Sequence, residues 1–228
     1  MRIGPCPLLA AVLSALALGA CGGASTSSSS SVSGSSSAAG AGSSSATTSS
    51  GAPGQLSYEG VPLEQGPSLA PASTTQTGTV HGIHCAPLEQ LAYHIHAHLA
   101  VFVDGRLYSL PAGIGIPGSV AEQTSEGPIA AGGRCFYWLH THTSDGVIHI
   151  ESPIQRIYTL GDFFDEWHQP LTADRVGDVH GRITAFFNGK LWKTSLRAIP
   201  LLAHAVIQFN IGEPGAPLMN INWFRTGL

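Results

Sequence analysis

Charge is scarce in this chain. Asp, Glu, Lys and Arg make up 11% of its 228 residues, and between Arg2 and Glu59 there is none, nor any histidine. All 14 acidic residues and all 11 histidines lie beyond that stretch, so acid–base or metal chemistry is confined to the C-terminal two thirds. The basic residues past Arg2, among them Arg106, Arg134, Arg156 and Lys190, are scattered. No basic stripe can neutralise phosphates in series, which excludes nucleic acid as a partner. Methionine occurs only as Met1 and Met219, which argues against a thioether copper(I) site.

The charge-free third divides by composition. Arg2 is followed by an apolar run from about Leu8 to Leu18 and by small residues, the pattern of an export signal covering residues 1–20. Its end, Leu18-Gly19-Ala20-Cys21, resembles the lipobox of bacterial lipoproteins, which implies lipidation of Cys21 and a mature chain anchored to a membrane through it. The expected location is the extracytoplasmic face of the cell envelope. Gly22 lacks the aspartate that resembles an inner-membrane retention signal, so in a cell with two membranes the outer one is expected. Residues 22–51 are Ser, Gly, Ala and Thr, broken by Val32, and bury too little apolar surface to offset their ordering entropy. Together with the proline-bearing stretch that follows, an irregular continuation expected to lie partly on the domain, residues 21–78 read as a tether. Thirty residues of this composition reach about 30 Å. The globular domain is expected over residues 79–228.

With Cys6 in the signal and Cys21 lipidated, two cysteines remain, Cys85 and Cys135. In an oxidising compartment such a pair is expected as a disulfide, closing a loop of about 50 residues and worth about 3–4 kcal/mol. The alternative is a pair of thiolate metal ligands.

Within the domain, strand and turn signals dominate. His94 to Val103 is β-rich, turns at Asp104-Gly105 and returns through Arg106 to Leu110. A second hairpin pairs Phe136–His142 with Val147–Glu151 about Asp145-Gly146, and a third pairs Ile183–Phe187 with Lys190–Trp192 about Asn188-Gly189. One helix is predicted where Thr159 and Asp162 form a capping-box start and Leu160, Phe163, Phe164 and Trp167 recur on one helical face. A last strand runs from Ala205 to Ile211. The expected class is α+β: a β-dominated single domain of antiparallel hairpins with one packed helix.

The histidines carry the chemistry. Alternate side chains of a strand share a face, so His94, His96 and His98 point the same way. A two-residue turn at Asp145-Gly146 sets His142 across from His149 and His140 across from Glu151, all four on one face, with Leu139, Thr141, Ile148 and Ile150 on the other. A four-residue turn shifts this register by one pair and keeps the faces; a three- or five-residue turn splits them. Opposed Cβ atoms stand about 5 Å apart, close enough for two donors to converge on one ion. His94, His96, His98, His140, His142, His149 and Glu151 are therefore the candidate metal ligands, for zinc or copper(II). Seven donors exceed what one ion requires, so some support the others or two ions bind. His81, His84, His168, His180 and His204 have no such arrangement and are expected at the surface or core edge.

The run Tyr93-His94-Ile95-His96-Ala97-His98-Leu99, together with Trp138-Leu139-His140-Thr141-His142, Gly146-Val147-Ile148-His149-Ile150-Glu151-Ser152-Pro153 and Thr159-Leu160-Gly161-Asp162-Phe163-Phe164-Asp165-Glu166-Trp167, resembles a family of uncharacterised exported proteins of bacteria and archaea. The resemblance covers most of residues 80–212 and implies a shared fold and site, without an activity. His140-Thr141-His142 is also similar to the opening metal motif of PHP-type phosphoesterases, but the chain after Glu151 lacks the alternating strands and helices of their barrel. The cupin motif fits poorly because its glutamate follows sooner than Glu151 does.

Three functions are open at this point: a metal-binding lipoprotein that buffers or delivers zinc or copper; a zinc-dependent hydrolase or hydratase with Glu151 as general base, its ligands similar to those of carbonic anhydrase; and a cell-surface interaction module without metal.

Overall fold

The computed structural model describes residues 54–72 and 78–228. The stretch expected to be an export signal, and Cys21, lie outside the described residues. Seven strands form the main sheet: β1 (Tyr93–Val103), β2 (Arg106–Tyr108), β3 (Leu139–His140), β4 (Val147–Ser152), β5 (Ile183–Phe187), β6 (Lys190–Trp192) and β7 (Ala205–Ile211). Their spatial order is β6-β5-β7-β1-β4-β3, and β2 pairs with the end of β1 that β4 leaves uncovered. Among the described residues the chain is β-dominated with one α-helix, as its sequence pattern predicts.

The hairpins at Asp104-Gly105 and Asn188-Gly189 form with the expected two-residue turns, pairing Val103 with Arg106 and Phe187 with Lys190. One expectation is corrected at the centre of the sheet. β7 lies parallel to β1, from Ala97 beside Ala205 to Val103 beside Ile211, so the sheet is not assembled from antiparallel hairpins alone. Both strands are apolar on one face, and parallel pairing buries Leu99, Val101, Ile207 and Phe209 completely.

Helix α1 (Leu160–Trp167) begins at Thr159, whose hydroxyl accepts the Asp162 N–H while the Asp162 carboxylate accepts the Thr159 N–H. Leu160, Phe163, Phe164 and Trp167 are fully buried and join Leu139, Ile148, Ile150 and Tyr158 in one apolar core on one face of the sheet. Removing these aromatic and aliphatic surfaces from water is worth about 1.5–3 kcal/mol per side chain. No helix among the described residues is long and apolar enough to cross a membrane.

The opposite face carries the histidines, and it is covered by chain that the sequence reading placed in the tether. Val61 and Ile221 pack on Val147, with Val206, Met219, Trp223 and Leu228 around them. Residues 54–72 thus belong to the folded body: Ser57, Glu59, Val61, Leu63, Glu64, Leu69 and Ala70 are all buried. Proline content suggested a tether, but Val61 covers the histidine face while Leu69 and Ala70 join the aliphatic core on the other face.

Cys85 and Cys135 form the expected disulfide, which rules out the thiolate-ligand alternative. Beside it, Ala86 and Phe136 exchange backbone hydrogen bonds of 2.8 and 2.7 Å, tying the loop before β1 to the approach to β3.

Candidate metal centre

β4 is the backbone of the site. Across β1, Glu151 stands opposite His94 and His149 opposite His96; across β3, His149 stands opposite His140. His149 is therefore flanked by an imidazole on either side. The register differs from the two-residue-turn expectation, which placed His142 opposite His149 and His140 opposite Glu151. After His140 the chain leaves β4, and the His142 carbonyl accepts the Ala130 N–H instead (2.7 Å). Asp145 folds back to accept the Val147 N–H (3.0 Å), so the connection is wider than two residues. The slip is by two residues, which preserves the alternation and keeps all the imidazoles on one face. Gly146 makes the crossing possible: its φ is +81°, and a Cβ there would meet the Leu99 carbonyl and His98 Nε2 at 2.7 Å.

Two donor groups result. Ligand atoms of His140, His142, His149 and Glu151 lie within 4.8 Å of one another, as do those of His94, His96 and His149. Donors bound 2.0–2.2 Å from a tetrahedral zinc stand about 3.4 Å apart, so small side-chain movements close either group around an ion. The two rings nearest this geometry are fixed by the backbone. His140 Nδ1 is 2.8 Å from the Tyr137 carbonyl and His142 Nδ1 2.9 Å from the Ala130 carbonyl. A carbonyl only accepts, so each Nδ1 carries a hydrogen and each Nε2 presents its lone pair in the neutral ring. Those two Nε2 atoms face each other at 3.2 Å. Two lone pairs at that distance repel unless a proton or a metal cation lies between them.

Carboxylates complete the cluster. Glu151 Oε1 is 3.0 Å from His94 Nε2 and 3.2 Å from His149 Nδ1, and its Oε2 is 3.7 Å from His140 Nε2. Glu59 Oε1 lies 2.9 Å from His149 Nε2, and Glu89 Oε1 lies 3.4 Å from His142 Nε2. Three buried atoms, His96 Nε2, Glu59 Oε2 and Glu151 Oε2, have no hydrogen-bond partner. Buried polar atoms rarely stay unpaired, and cations held by the two donor groups would satisfy His96 Nε2 and Glu151 Oε2.

The electrostatics separate the imidazoles. Burial, reinforced by the neighbouring His149 and His94, lowers the His96 pKa to about 3. Burial, then His142 and His149, holds His140 well below the ordinary imidazole value. Both rings are thus the neutral donors a metal needs. His149 is opposite in sense: burial works to lower its pKa, but hydrogen bonds to Glu151 and Glu59 outweigh burial and raise it to about 9. A metal that takes a His149 nitrogen displaces that proton.

His98 is on the expected face but joins neither group. Its Nε2 lies 2.8 Å from the Asp145 carbonyl and 3.9 Å from Glu64, and burial lowers its pKa to about 4. It holds the connection before β4 in place. His81, His84, His168, His180 and His204 also lie outside both groups. His168 ends α1 in the left-handed region at φ 58°, and His204 stacks on Trp223 at 5.0 Å.

Glu59 and Glu89 are the residues that sequence reasoning missed. Glu59 is the first carboxylate after the charge-free stretch and is followed closely by Val61 and Leu63, a signal that the fold resumes there. Glu89 sits four residues past Cys85, so the disulfide that anchors this loop also holds the carboxylate near β3. A cavity of about 640 Å³ opens onto the site between Tyr58, Glu59, Glu89, Ile129, His142 and His149.

The fold and site define a histidine- and glutamate-lined sheet face capable of holding a metal ion. No family model, curated protein or solved structure matches the chain.

Proposed function

We propose that this chain is an exported, lipid-anchored protein that binds a divalent transition metal, zinc or copper(II), and buffers or delivers it outside the cytoplasm. The observation that carries the metal reading is the pair of Nε2 atoms of His140 and His142, each turned inward by a backbone carbonyl and 3.2 Å apart. Outward hydrogen bonds from the far ring nitrogen are the usual support of metal-bound imidazoles. Nitrogen and carboxylate donors suit zinc and copper(II), and the cysteines are occupied by their disulfide.

The test is a titration of chelator-treated protein with Zn²⁺ and Cu²⁺. Binding well below millimolar, weakened in His140→Ala and His142→Ala, supports the reading; no binding of either ion below millimolar refutes it. The anchor rests on Leu18-Gly19-Ala20-Cys21. Its test is incorporation of labelled fatty acid in the producing cell, which should be lost in Cys21→Ser.

A metalloenzyme is the second reading, favoured by the cavity that reaches His142 and His149 and gives small molecules a route to the ion. Glu151 lies among three imidazoles, whereas Glu59 and Glu89 line the cavity, so proton transfer to a cavity-bound molecule falls more naturally to those two. Ester hydrolysis or CO₂ hydration by zinc-loaded protein, at rates no faster than zinc-free protein, would exclude this reading while leaving the first intact.

A further inference from the structure

The strand register sorts the donors into two rows. His94 and His96 belong to β1, His140 and its neighbour His142 to the chain of β3, and β4 runs between them. Neighbouring strands are about 4.8 Å apart, so the outer rows are separated by about 10 Å at the backbone. The rings follow this division: the centroid of His149 is 4.6 Å from that of His96 on one side and 5.4 Å from that of His140 on the other. An ion bound 2.0–2.2 Å from His140 and His142 leaves His96 to a different centre. The unpaired, buried Nε2 of His96 then still lacks a partner.

Glu151 connects the rows. Its two oxygens diverge, Oε1 toward His94 at 3.0 Å and Oε2 toward His140 at 3.7 Å, so one carboxylate faces both donor groups. This is the arrangement of a carboxylate that bridges two cations, one per oxygen. His149 belongs to both groups as well. Nitrogen and carboxylate oxygen donors on each side select the same class of ion, a divalent transition metal such as zinc or copper(II).

Resting on the metal-binding reading above, we propose that the cluster is a dinuclear centre. One ion takes His140, His142 and Glu151 Oε2. The other takes His94, His96 and Glu151 Oε1. His149 sits between them and completes one of the two.

The number of ions bound by the full chain after chelator treatment, measured by native mass spectrometry and elemental analysis, tests both levels separately. Two ions per chain is the expected result. One ion overturns the dinuclear centre and leaves the metal-binding reading standing; none overturns both. Electron paramagnetic resonance of the Cu²⁺-loaded protein then tests the bridge. One equivalent should give an isolated copper signal, and the second should broaden or abolish it through spin coupling. Two additive, uncoupled signals would refute a shared Glu151. The double variant His94→Ala/His96→Ala should fall to one ion, as should His140→Ala/His142→Ala, and Glu151→Gln should lose the coupling. Circular dichroism identifies any variant that fails to fold, and the wild-type stoichiometry and spectrum decide the proposal without the variants. A His94→Ala/His96→Ala chain that is folded and still binds two ions would overturn the assignment.

Discussion

Metal binding to this cluster should release a proton at a pH where ordinary imidazoles have none to give. Its source is His149, which Glu151 and Glu59 hold protonated up to about pH 9 against the opposing effect of burial. A metal that takes a nitrogen of His149 must displace its proton, so below that value the apparent affinity rises tenfold for each pH unit. Because the rise levels off at about pH 9 itself, the expected gain between pH 7 and pH 9 is about 50-fold, or about 2.3 kcal/mol. A cluster of unperturbed imidazoles would instead level off above their usual value of about 6.5. Competition for Zn²⁺ against a chromophoric chelator calibrated at each pH measures the slope. Calorimetry near pH 7.5 in buffers of different ionisation enthalpy counts the protons, with about one expected from His149. Affinity constant from pH 7 to 9, with no proton released, would refute the placement of His149 as a protonated ligand between two carboxylates. Glu59→Gln removes one carboxylate and should move the bend in the profile to lower pH.

Other outcomes follow from the same structure. Stability of the metal-free protein should change with pH through its buried imidazoles and, in the sense opposite to His96 and His98, through the buried carboxyls Glu64, Asp145 and Glu166, whose raised pKa values cost stability as pH rises. The stability that His149 gains from its raised pKa is complete below its unfolded value of about 6.5 and is lost as pH rises through about 9. His96 and His98 are buried neutral, with pKa values of about 3 and 4, so their contribution is lost as pH falls below about 6.5; denaturant midpoints across pH 4–9 should show a smaller acid-side loss in His98→Asn than in the wild type. Zn²⁺ at 100 times its dissociation constant should stabilise the fold by about 2.7 kcal/mol, seen as a thermal shift that a chelator reverses. Cys85→Ser/Cys135→Ser should cost about 2–5 kcal/mol in urea unfolding, and should also weaken metal binding because Glu89 loses its anchored loop. Trp167→Ala, emptying a fully buried site beside Phe163 and Phe164, should cost about 3–5 kcal/mol without altering the number of ions bound by chain that remains folded.

What could be read along the chain was local. The Asp104-Gly105 and Asn188-Gly189 turns, the Thr159/Asp162 cap and the alternation of imidazole and aliphatic residues on β1 and β4 each depend on neighbours a few positions apart. Those patterns determine which side chains share a face, because a strand's period of two survives a register slip of two residues. They do not determine which strands meet. The parallel pairing of β1 with β7 joins residues about a hundred positions apart, and the wider connection before β4 depends on Ala130 capturing the His142 carbonyl. Glu59 came to His149 only because an apolar segment written like a tether found a sheet face to cover. A β-rich domain with one imidazole face is written into the local pattern; that His98 turns to Asp145, that Glu59 and Glu89 join the cluster and that His149 lies at its centre come from packing between distant segments. Alternation follows from backbone geometry, whereas convergence of donors requires long-range contacts that no local pattern encodes.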